Sequence, residues 1–491
     1  MTRQQYWVLA LVGGLSVFIG VGIALLITSG DGKDEVVQIG PTTSSQGPVV
    51  TTLPPSTTLT STPTTAPPVT QGTITPGTTL VIPPSTSGTT RPAPTTTRPA
   101  PTTTEAPATT TTTGPDRSTD VGITDDEIRL AVIADSPTTF QGMATWQTLV
   151  NRHGGLADRR VELDLLETGG SAEGYAEAVT TACKRDFAIV GSFSVFDAAA
   201  DALGCAAIPD LPVEPIAADH ATASTTFAAF PRQPGIEAVG PYKWLLANVP
   251  GCCSQFVLVP DTDPARARTL AAIDAAVAAG FTTAGSVDVT GSDDAARYTE
   301  IVDEIETNGA TFASSGLGPD STRLLREATA ARGPDVAAWY CGAQCYDASF
   351  LADGGDAIDG EYVAIETALF SDRSEISLLR SYVRISNRAG DDTAYEGLRA
   401  FVAGLLFESG AEQVIDEHGD NGITRVRLFE ALAGINDFTA GGIVGPTDVA
   451  SGTPTGCYVL MQVSDARFDR VNPADKGVID CGSQNLVEMG G

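Results

Sequence analysis

A long segment with hardly any large apolar side chain, residues 41–115, limits where this chain can fold. It consists mainly of Thr, Pro, Ser and Gly, as in TTRPAPTTTRPAPTTTEAPATTTTTG. Such a composition cannot bury enough apolar surface to offset the entropy lost on folding, and Pro and Thr favour extended conformations. We therefore expect a disordered linker over residues 29–117 and a folded domain over residues 118–491.

An uncharged apolar run precedes this linker. Residues 7–28, WVLALVGGLSVFIGVGIALLIT, have the length of a helix that spans a membrane. Arg3 lies before the run and a mainly acidic stretch, 31–35, follows it, which places the tail 1–6 in the cytoplasm. The sequence thus predicts a single-pass protein of the cell membrane with an extracellular C-terminal domain. A cleaved signal peptide is the alternative.

The chain is strongly acidic. Its formal net charge is −31, from 29 Lys and Arg against 60 Asp and Glu. An acidic surface repels phosphate backbones and anionic lipid headgroups, so nucleic acid is not an expected partner. Surface charge that keeps an extracellular domain soluble explains this composition better than attraction for a cationic ligand does.

Eight cysteines, all within the predicted folded domain, indicate an oxidising compartment. The three histidines have no metal-ligand spacing, so we expect disulfides and no metal site. The order of the predicted strands and helices favours three pairs. They are Cys183–Cys205, Cys457–Cys481 and Cys341–Cys345. Whether Cys252 bonds to Cys253 stays open.

Short apolar runs alternate with helical segments from residue 128 onward. In DFAIVGSFSVFD, residues 186–197, the run from Phe187 to Val190 predicts a buried parallel strand that ends at Gly191. The Ala-rich segment 197–203 predicts a helix capped by Asp197. Repetition of this alternation along the chain predicts an α/β fold with two parallel sheets.

Catalytic motifs are missing from the sequence. It contains no G-x-S-x-G, H-E-x-x-H, G-x-x-x-x-G-K or G-x-G-x-x-G motif in the required context. The acidic stretch DGGDAIDGE lacks the ligand spacing of a calcium loop. We therefore expect neither an enzyme nor a bound cofactor.

Several segments, in order, resemble the bacterial leucine/isoleucine/valine-binding proteins, which are type I periplasmic solute-binding proteins of ABC importers. The segments are ITDDEIRLAVIAD, NRHGGLADRRVEL, IVGSFS followed by GCAAIPDLPV, and FEALAGINDFTAGGIVGPTD. The resemblance covers residues 121–491 and implies two lobes joined by three crossovers, with the ligand in the cleft between them. It implies a first lobe of residues 118–231 and 371–441, a second lobe of 232–366 and 456–491, and crossovers near 230–233, 366–371 and 442–455.

The resemblance also implies that the loops after the strands contact the ligand. Where amino-acid-binding members offer a hydroxyl and a Thr, this chain has Val195 and the segment 217–220, so hydroxyls of neighbouring serines are expected to substitute. Asp219 is the expected countercharge for an amine. The expected ligand-binding residues are Ser192, Phe193, Ser194, Asp219, His220, Asp261, Ser315 and Gln344, with Leu317 and Cys341 also near the cleft.

Together these features predict a membrane-anchored, extracellular solute-binding protein. Its expected ligand is a small polar molecule, an amino acid or a related metabolite, and its expected partner is an ABC transporter permease. A tethered adhesion or scaffold domain of the same fold is the alternative.

Overall fold

The computed structural model describes residues 117–391 and 393–489. The predicted membrane helix, 7–28, and the predicted linker as far as residue 116 lie outside the described residues. Across the part of the chain that is described, no helix is both long enough and apolar enough to cross a membrane. The described residues all belong to one compact unit.

Strands and helices alternate through most of this unit. The strands are β1 (Glu127–Ala134), β2 (Arg160–Glu167), β3 (Ala188–Val190), β4 (Asp210–Leu211), β5 (Ile236–Ala238), β6 (Ser254–Pro260), β7 (Thr282–Val289), β8 (Phe312–Ser315), β9 (Ala338–Cys341), β10 (Glu361–Ile365), β11 (Val459–Ser464), β12 (Arg467–Asn472) and β13 (Leu486–Glu488). The α-helices are α1 (Pro137–Arg152), α2 (Ala172–Arg185), α3 (Ala218–Ala221), α4 (Gly240–Asn248), α5 (Asp263–Ala278), α6 (Ala295–Thr307), α7 (Pro319–Ala330), α8 (Ala348–Gly354), α9 (Ser377–Ala389), α10 (Tyr395–His418) and α11 (Arg425–Leu432).

The first lobe contains a four-stranded parallel sheet of order β2–β1–β3–β4. Successive residues of β1 point to opposite faces, and both faces are covered by helices. Leu130 and Val132 pack into a core that includes Trp146 of α1 and Phe407 of α10. Ala131 and its neighbours on the other face pack against α2. Burial on both sides explains why the strand sequence is continuously apolar.

Helices α1 and α10 pack very closely in this lobe. A side chain on Gly142 would overlap the backbone carbonyl of Gly397, and one on Gly404 would overlap the ring of Trp146. Only glycine lets the two backbones approach to this distance. The contact fixes the start of α10, which carries Tyr395 and Arg399 towards the second lobe.

The second lobe contains a seven-stranded mixed sheet of order β12–β11–β10–β9–β8–β6–β7. Strands β6 to β10 are parallel, whereas β11 pairs antiparallel with both β10 and β12. The expected parallel sheet thus forms the larger part of this lobe, and a hairpin is added at its edge. A short hairpin such as that of β11 and β12 can only join antiparallel strands.

The chain passes between the two sheets three times. It leaves the first sheet after β4, returns from β10 to the helices α9 to α11 beside the first sheet, and then re-enters the second sheet at β11. Near its end, β13 pairs with β5. These crossings place the carboxyl ends of the strands of both sheets around one cleft.

The segment 197–203 is not helical, and the prediction of a capped helix there is wrong. It consists of turns and irregular backbone before β4. The carboxylate of Asp197 instead accepts hydrogen bonds from the backbone N–H groups of Ile216 (2.7 Å) and Ala217 (2.8 Å). These long-range bonds outweigh the helix propensity of the alanines.

All eight cysteines are bonded in pairs. The disulfides are Cys183–Cys205, Cys252–Cys253, Cys341–Cys345 and Cys457–Cys481. The first lies in the first lobe between α2 and the segment before β4, and the last connects the segment before β11 to the segment before β13.

Candidate functional site

A cavity of about 570 Å³ lies between the two sheets and is lined from both sides. The first lobe contributes the loops after β3 and β4 and the start of α10. The second lobe contributes α4, α5 and the segments that follow β8, β9 and β10. In α/β sheets, loops at the carboxyl ends of strands are the usual place for ligands.

One buried carboxylate at the cavity wall contacts three arginines. Glu214 follows β4, and its Oε1 lies 2.7 Å from Nε of Arg232 and 2.5 Å from a terminal nitrogen of Arg268. Its Oε2 accepts a hydrogen bond from Arg399 of α10. Because Arg268 lies on α5 of the second lobe, the ion pair between Glu214 and Arg268 joins the two walls of the cleft.

The arginines keep the Glu214 side chain, which is 1% exposed, ionised. Burial opposes ionisation, but the charges of Arg232, Arg268 and Arg399 outweigh it and lower the pKa of the carboxyl well below its usual value. Arg232 also lies 3.3 Å from Glu366, which follows β10. The cluster therefore connects both lobes and two of the crossover segments.

A second buried network supports the loop that carries Glu214. His220 of α3 is fully buried, with Nδ1 2.7 Å from Asp197 and Nε2 2.9 Å from Asp210. Asp197 also binds the backbone of Ile216, which lines the cavity. Burial lowers the pKa of His220, but the two carboxylates outweigh it and raise the pKa to about 10, so the imidazolium is the form expected at neutral pH.

Aromatic rings form much of the wall on the second-lobe side. Tyr242 lies 5.7 Å from Tyr340 between ring centroids, and Tyr340 lies 5.9 Å from Phe312. The hydroxyls of two further lining residues, Tyr395 and Tyr346, accept hydrogen bonds from the backbone N–H groups of residues 366 and 370, in the second crossover. These two rings are thus attached to the segment that joins the lobes.

The structure brings three of the sequence-predicted ligand residues to the cavity. Phe193, Ser315 and Gln344 line it, and so do Val195 and Leu317. The hydroxyl of Ser315 lies 2.7 Å from that of Ser321, a residue of α7.

The other predicted ligand residues lie outside the cavity lining. Ser192 and Ser194 are buried, and Ser194 donates to Asp135 at 2.7 Å, which connects the loops after β1 and β3. His220 belongs to the supporting network described above. Asp219 and Asp261 are exposed at the ends of other elements.

The principal charged residues of the cavity were not predicted from the sequence. Glu214 lies in LPVEPIA and Arg399 in LRAFVAGLLF, each a single charge within an apolar run. An isolated charge in a segment that must be buried requires a partner, and this is the signal that could have found both residues. Arg232 and Arg268 carry no comparable signal.

Among the residues that the structure describes, no group of three or more His, Cys, Asp or Glu side chains is arranged to bind a metal ion. The cavity therefore offers side-chain charges, phenol hydroxyls and apolar surface to a ligand. A two-lobed α/β protein with such a cavity at the strand ends belongs to the class of proteins that enclose a small molecule between two lobes.

Comparison with known proteins identifies the family. The family model described as periplasmic binding protein matches residues 133–467, and this chain belongs to that family. A comparison with curated proteins finds no match.

Solved structures share the fold. A fatty acid ABC transporter substrate-binding protein from Thermomonospora curvata aligns with a TM-score of 0.58 and 15% identity over 75% of this chain and 94% of its own. An ABC transporter substrate-binding protein from Desulfitobacterium hafniense in complex with Leu has a TM-score of 0.54 and 15% identity, covering 70% of this chain and all of its own. One from Sphaerobacter thermophilus has a TM-score of 0.58 and 18% identity over 70% of this chain and 96% of its own.

Proposed function

We propose that this chain is an extracellular solute-binding protein that captures a small molecule in the cleft between its lobes and presents it to an ABC transporter permease. The observation that carries the proposal is the cavity of about 570 Å³, which loops from both sheets line at the carboxyl ends of their strands. Support for a transport role comes from the structural relatives named above, which are substrate-binding proteins of ABC transporters.

The proposed lobes are residues 118–231 with 371–441 and residues 232–366 with 456–491. Domain closure is the expected response, because a ligand that contacts both walls favours the conformation in which they are close. The ion pair between Glu214 and Arg268 already joins the walls, at 2.5 Å.

A thermal-shift screen tests ligand capture. The segment 105–491 contains the buried cores of both lobes, so it can be produced alone. We expect at least one member of a library of amino acids, organic acids, sugars and amines to raise its melting temperature, because a ligand specific for the folded state stabilises it. X-ray scattering should then show a smaller radius of gyration with that ligand. If no compound changes either quantity, ligand capture is contradicted.

We further propose that residues 7–28 anchor the protein in the cell membrane, with residues 29–117 as a spacer. The uncharged apolar run carries this proposal. N-terminal sequencing of the cell-bound protein should find the segment still attached. A mature N-terminus near residue 30 would show that the segment is removed instead.

A further inference from the structure

Arg268 differs from the other two arginines of the cavity wall. Arg232 binds both Glu214 and Glu366, while Arg399 is buried, with its guanidinium 4.6 Å from the centre of the Phe230 ring. Within the described part of the chain, Arg268 forms an ion pair with Glu214 alone, and half of its side chain is exposed (50%). Among the described residues, no acceptor forms a well-aligned hydrogen bond with any of its N–H groups. Arg268 therefore retains donors for a ligand.

Glu214 does not depend on Arg268 for its charge balance. Arg232 and Arg399 still contact the Glu214 carboxylate when the Arg268 side chain turns away from it to bind a ligand. A second anion can therefore bind Arg268 without leaving an unpaired buried charge. The planar guanidinium fork binds a carboxylate through two parallel hydrogen bonds, which an ammonium cannot do.

An apolar, partly aromatic surface lies beside this arginine. Arg268 is close enough to Tyr242 to influence its ionisation, and Tyr340 and Phe312 continue the same wall. Within the described part of the chain, the hydroxyls of Tyr242 and Tyr340 have no hydrogen-bond partner. The wall can accommodate a ring or an aliphatic chain, with two hydroxyls available for a polar substituent.

The acidic residues of the cavity wall are mostly engaged by protein donors. Glu366 pairs with Arg232, Glu396 accepts from Thr139, and Asp347 accepts from the backbone of Ser349 at 2.7 Å. Of the acids lining the cavity, only Glu237 has no ion pair or side-chain hydrogen bond within the described residues. Burial raises its pKa, and the nearby charges of Arg232 and Arg268 oppose this rise only in part. The wall thus offers a cation to a ligand more readily than an anion.

We infer that the ligand is a monocarboxylate with an apolar ring or chain, that Arg268 binds its carboxylate, and that an α-ammonium group is not needed for binding. This inference rests on the proposed function and narrows its ligand class. It also replaces Asp219 by Arg268 as the principal charged contact.

Three pairs of compounds test the inference on the segment 105–491. Two are an acid and the amide of the same shape, octanoate with octanamide and phenylbutyrate with phenylbutyramide. The third is isocaproate with leucine, which differs from isocaproate by the α-ammonium group. We expect at least one acid to bind in titration calorimetry and its amide to bind at least about 10-fold more weakly, the scale of a charge-assisted hydrogen bond. Leucine should bind no better than isocaproate.

Variants of Arg268 locate the carboxylate. Arg268→Gln should weaken binding of the acid at least about 10-fold and leave the amide unaffected, and Arg268→Lys should give an intermediate loss because the fork is absent. Arg266→Gln is the matched control, since Arg266 lies on the same helix but pairs with Asp288 at 2.7 Å outside the cavity. The affinity of the Arg266→Gln variant for the acid should equal that of the parent protein.

Three results would overturn the inference. They are equal binding of acid and amide, unchanged affinity of Arg268→Gln for the acid, and failure of every acid to bind at millimolar concentration. Sugars or amines that still raise the melting temperature in that case would leave the proposed function intact. Failure of the monocarboxylate inference can therefore be distinguished from failure of the proposed function.

Discussion

Glu214 determines the charge balance of the cleft because three arginines share its carboxylate. Glu214→Gln would leave Arg232 and Arg399 without their main counter-ion in a buried site. We expect the free energy of unfolding in urea at pH 7 to fall by about 3–5 kcal/mol, as when one member of a buried ion pair is removed.

The matched control is Glu300→Gln. Glu300 pairs with Arg297 at 3.2 Å, but its side chain is 70% exposed. The Glu300→Gln substitution should lower the free energy of unfolding by less than about 1 kcal/mol. Equal effects of the two substitutions would mean that the buried cluster adds nothing to stability.

Glu361, at the start of β10, is a second buried carboxyl, and its ionisation changes stability with pH. Burial raises its pKa from 4.5 to about 8, and the charge of Arg326, 3.5 Å away, offsets this only in part. Because the folded state retains the proton better than the unfolded state does, this contribution is fully present below pH 4.5 and is lost as pH rises through 8.

Glu361→Gln should remove this pH dependence. Between pH 5.5 and 7.5, the free energy of unfolding of the parent protein should fall by about 1.4 kcal/mol per pH unit more than that of the variant. Urea unfolding at both pH values measures this difference. Parallel pH profiles for the two proteins would show that Glu361 ionises normally in the folded state.

At the scale of elements, the short helix α3 stabilises the loop after β4 through one side chain. The His220 imidazole lies between the carboxylates of Asp197 and Asp210 and pairs with both. The Asp197 carboxylate in turn accepts a hydrogen bond from the backbone of that loop. His220→Ala leaves two buried carboxylates without their cation, so the free energy of unfolding at pH 7 should fall by about 3–5 kcal/mol. Any ligand of the cleft should also bind more weakly, because Ile216 would no longer be fixed.

The ion pair of His220 also predicts a loss of stability at alkaline pH. Its pKa is raised from 6.5 to about 10, so the stabilisation is complete below pH 6.5 and disappears as pH rises through 10. The difference in unfolding free energy between parent and His220→Ala should shrink over this interval. Replacement of the exposed His153 by Ala is the control and should leave the free energy of unfolding at pH 7 nearly unchanged.

At the scale of the whole molecule, disulfides constrain the unfolded chain to different degrees. Cys457–Cys481 closes a loop with a sequence separation of 24, whereas Cys341–Cys345 has a separation of 4. In the chain-entropy account, replacing both cysteines by Ala should cost about 3.5 kcal/mol for the former and about 2 kcal/mol for the latter. Urea unfolding of the two double variants measures this order, and the reverse order would contradict the entropic explanation.

Several features of the fold follow from local sequence alone. The apolar run from Phe187 to Val190 predicts a buried strand, and the alternation in CYVLMQVSDARFDRVNP predicts the hairpin of β11 and β12, because hydrophobic period and strand burial are local properties. The same reasoning failed at residues 197–203, where the backbone N–H groups of residues 216 and 217 donate hydrogen bonds to the Asp197 carboxylate and so determine the backbone.

The sequence by itself determined that a Thr- and Pro-rich segment precedes an acidic, cysteine-paired α/β domain with two sheets. Composition and periodicity suffice for this, since they act within a few residues. Only the tertiary structure decided which charges meet in the cleft. Glu214 and Arg399 are 185 residues apart in the sequence, and Arg268 lies on the other lobe. Pairing over such distances depends on how the sheets and crossovers position the strand ends, which local pattern does not specify.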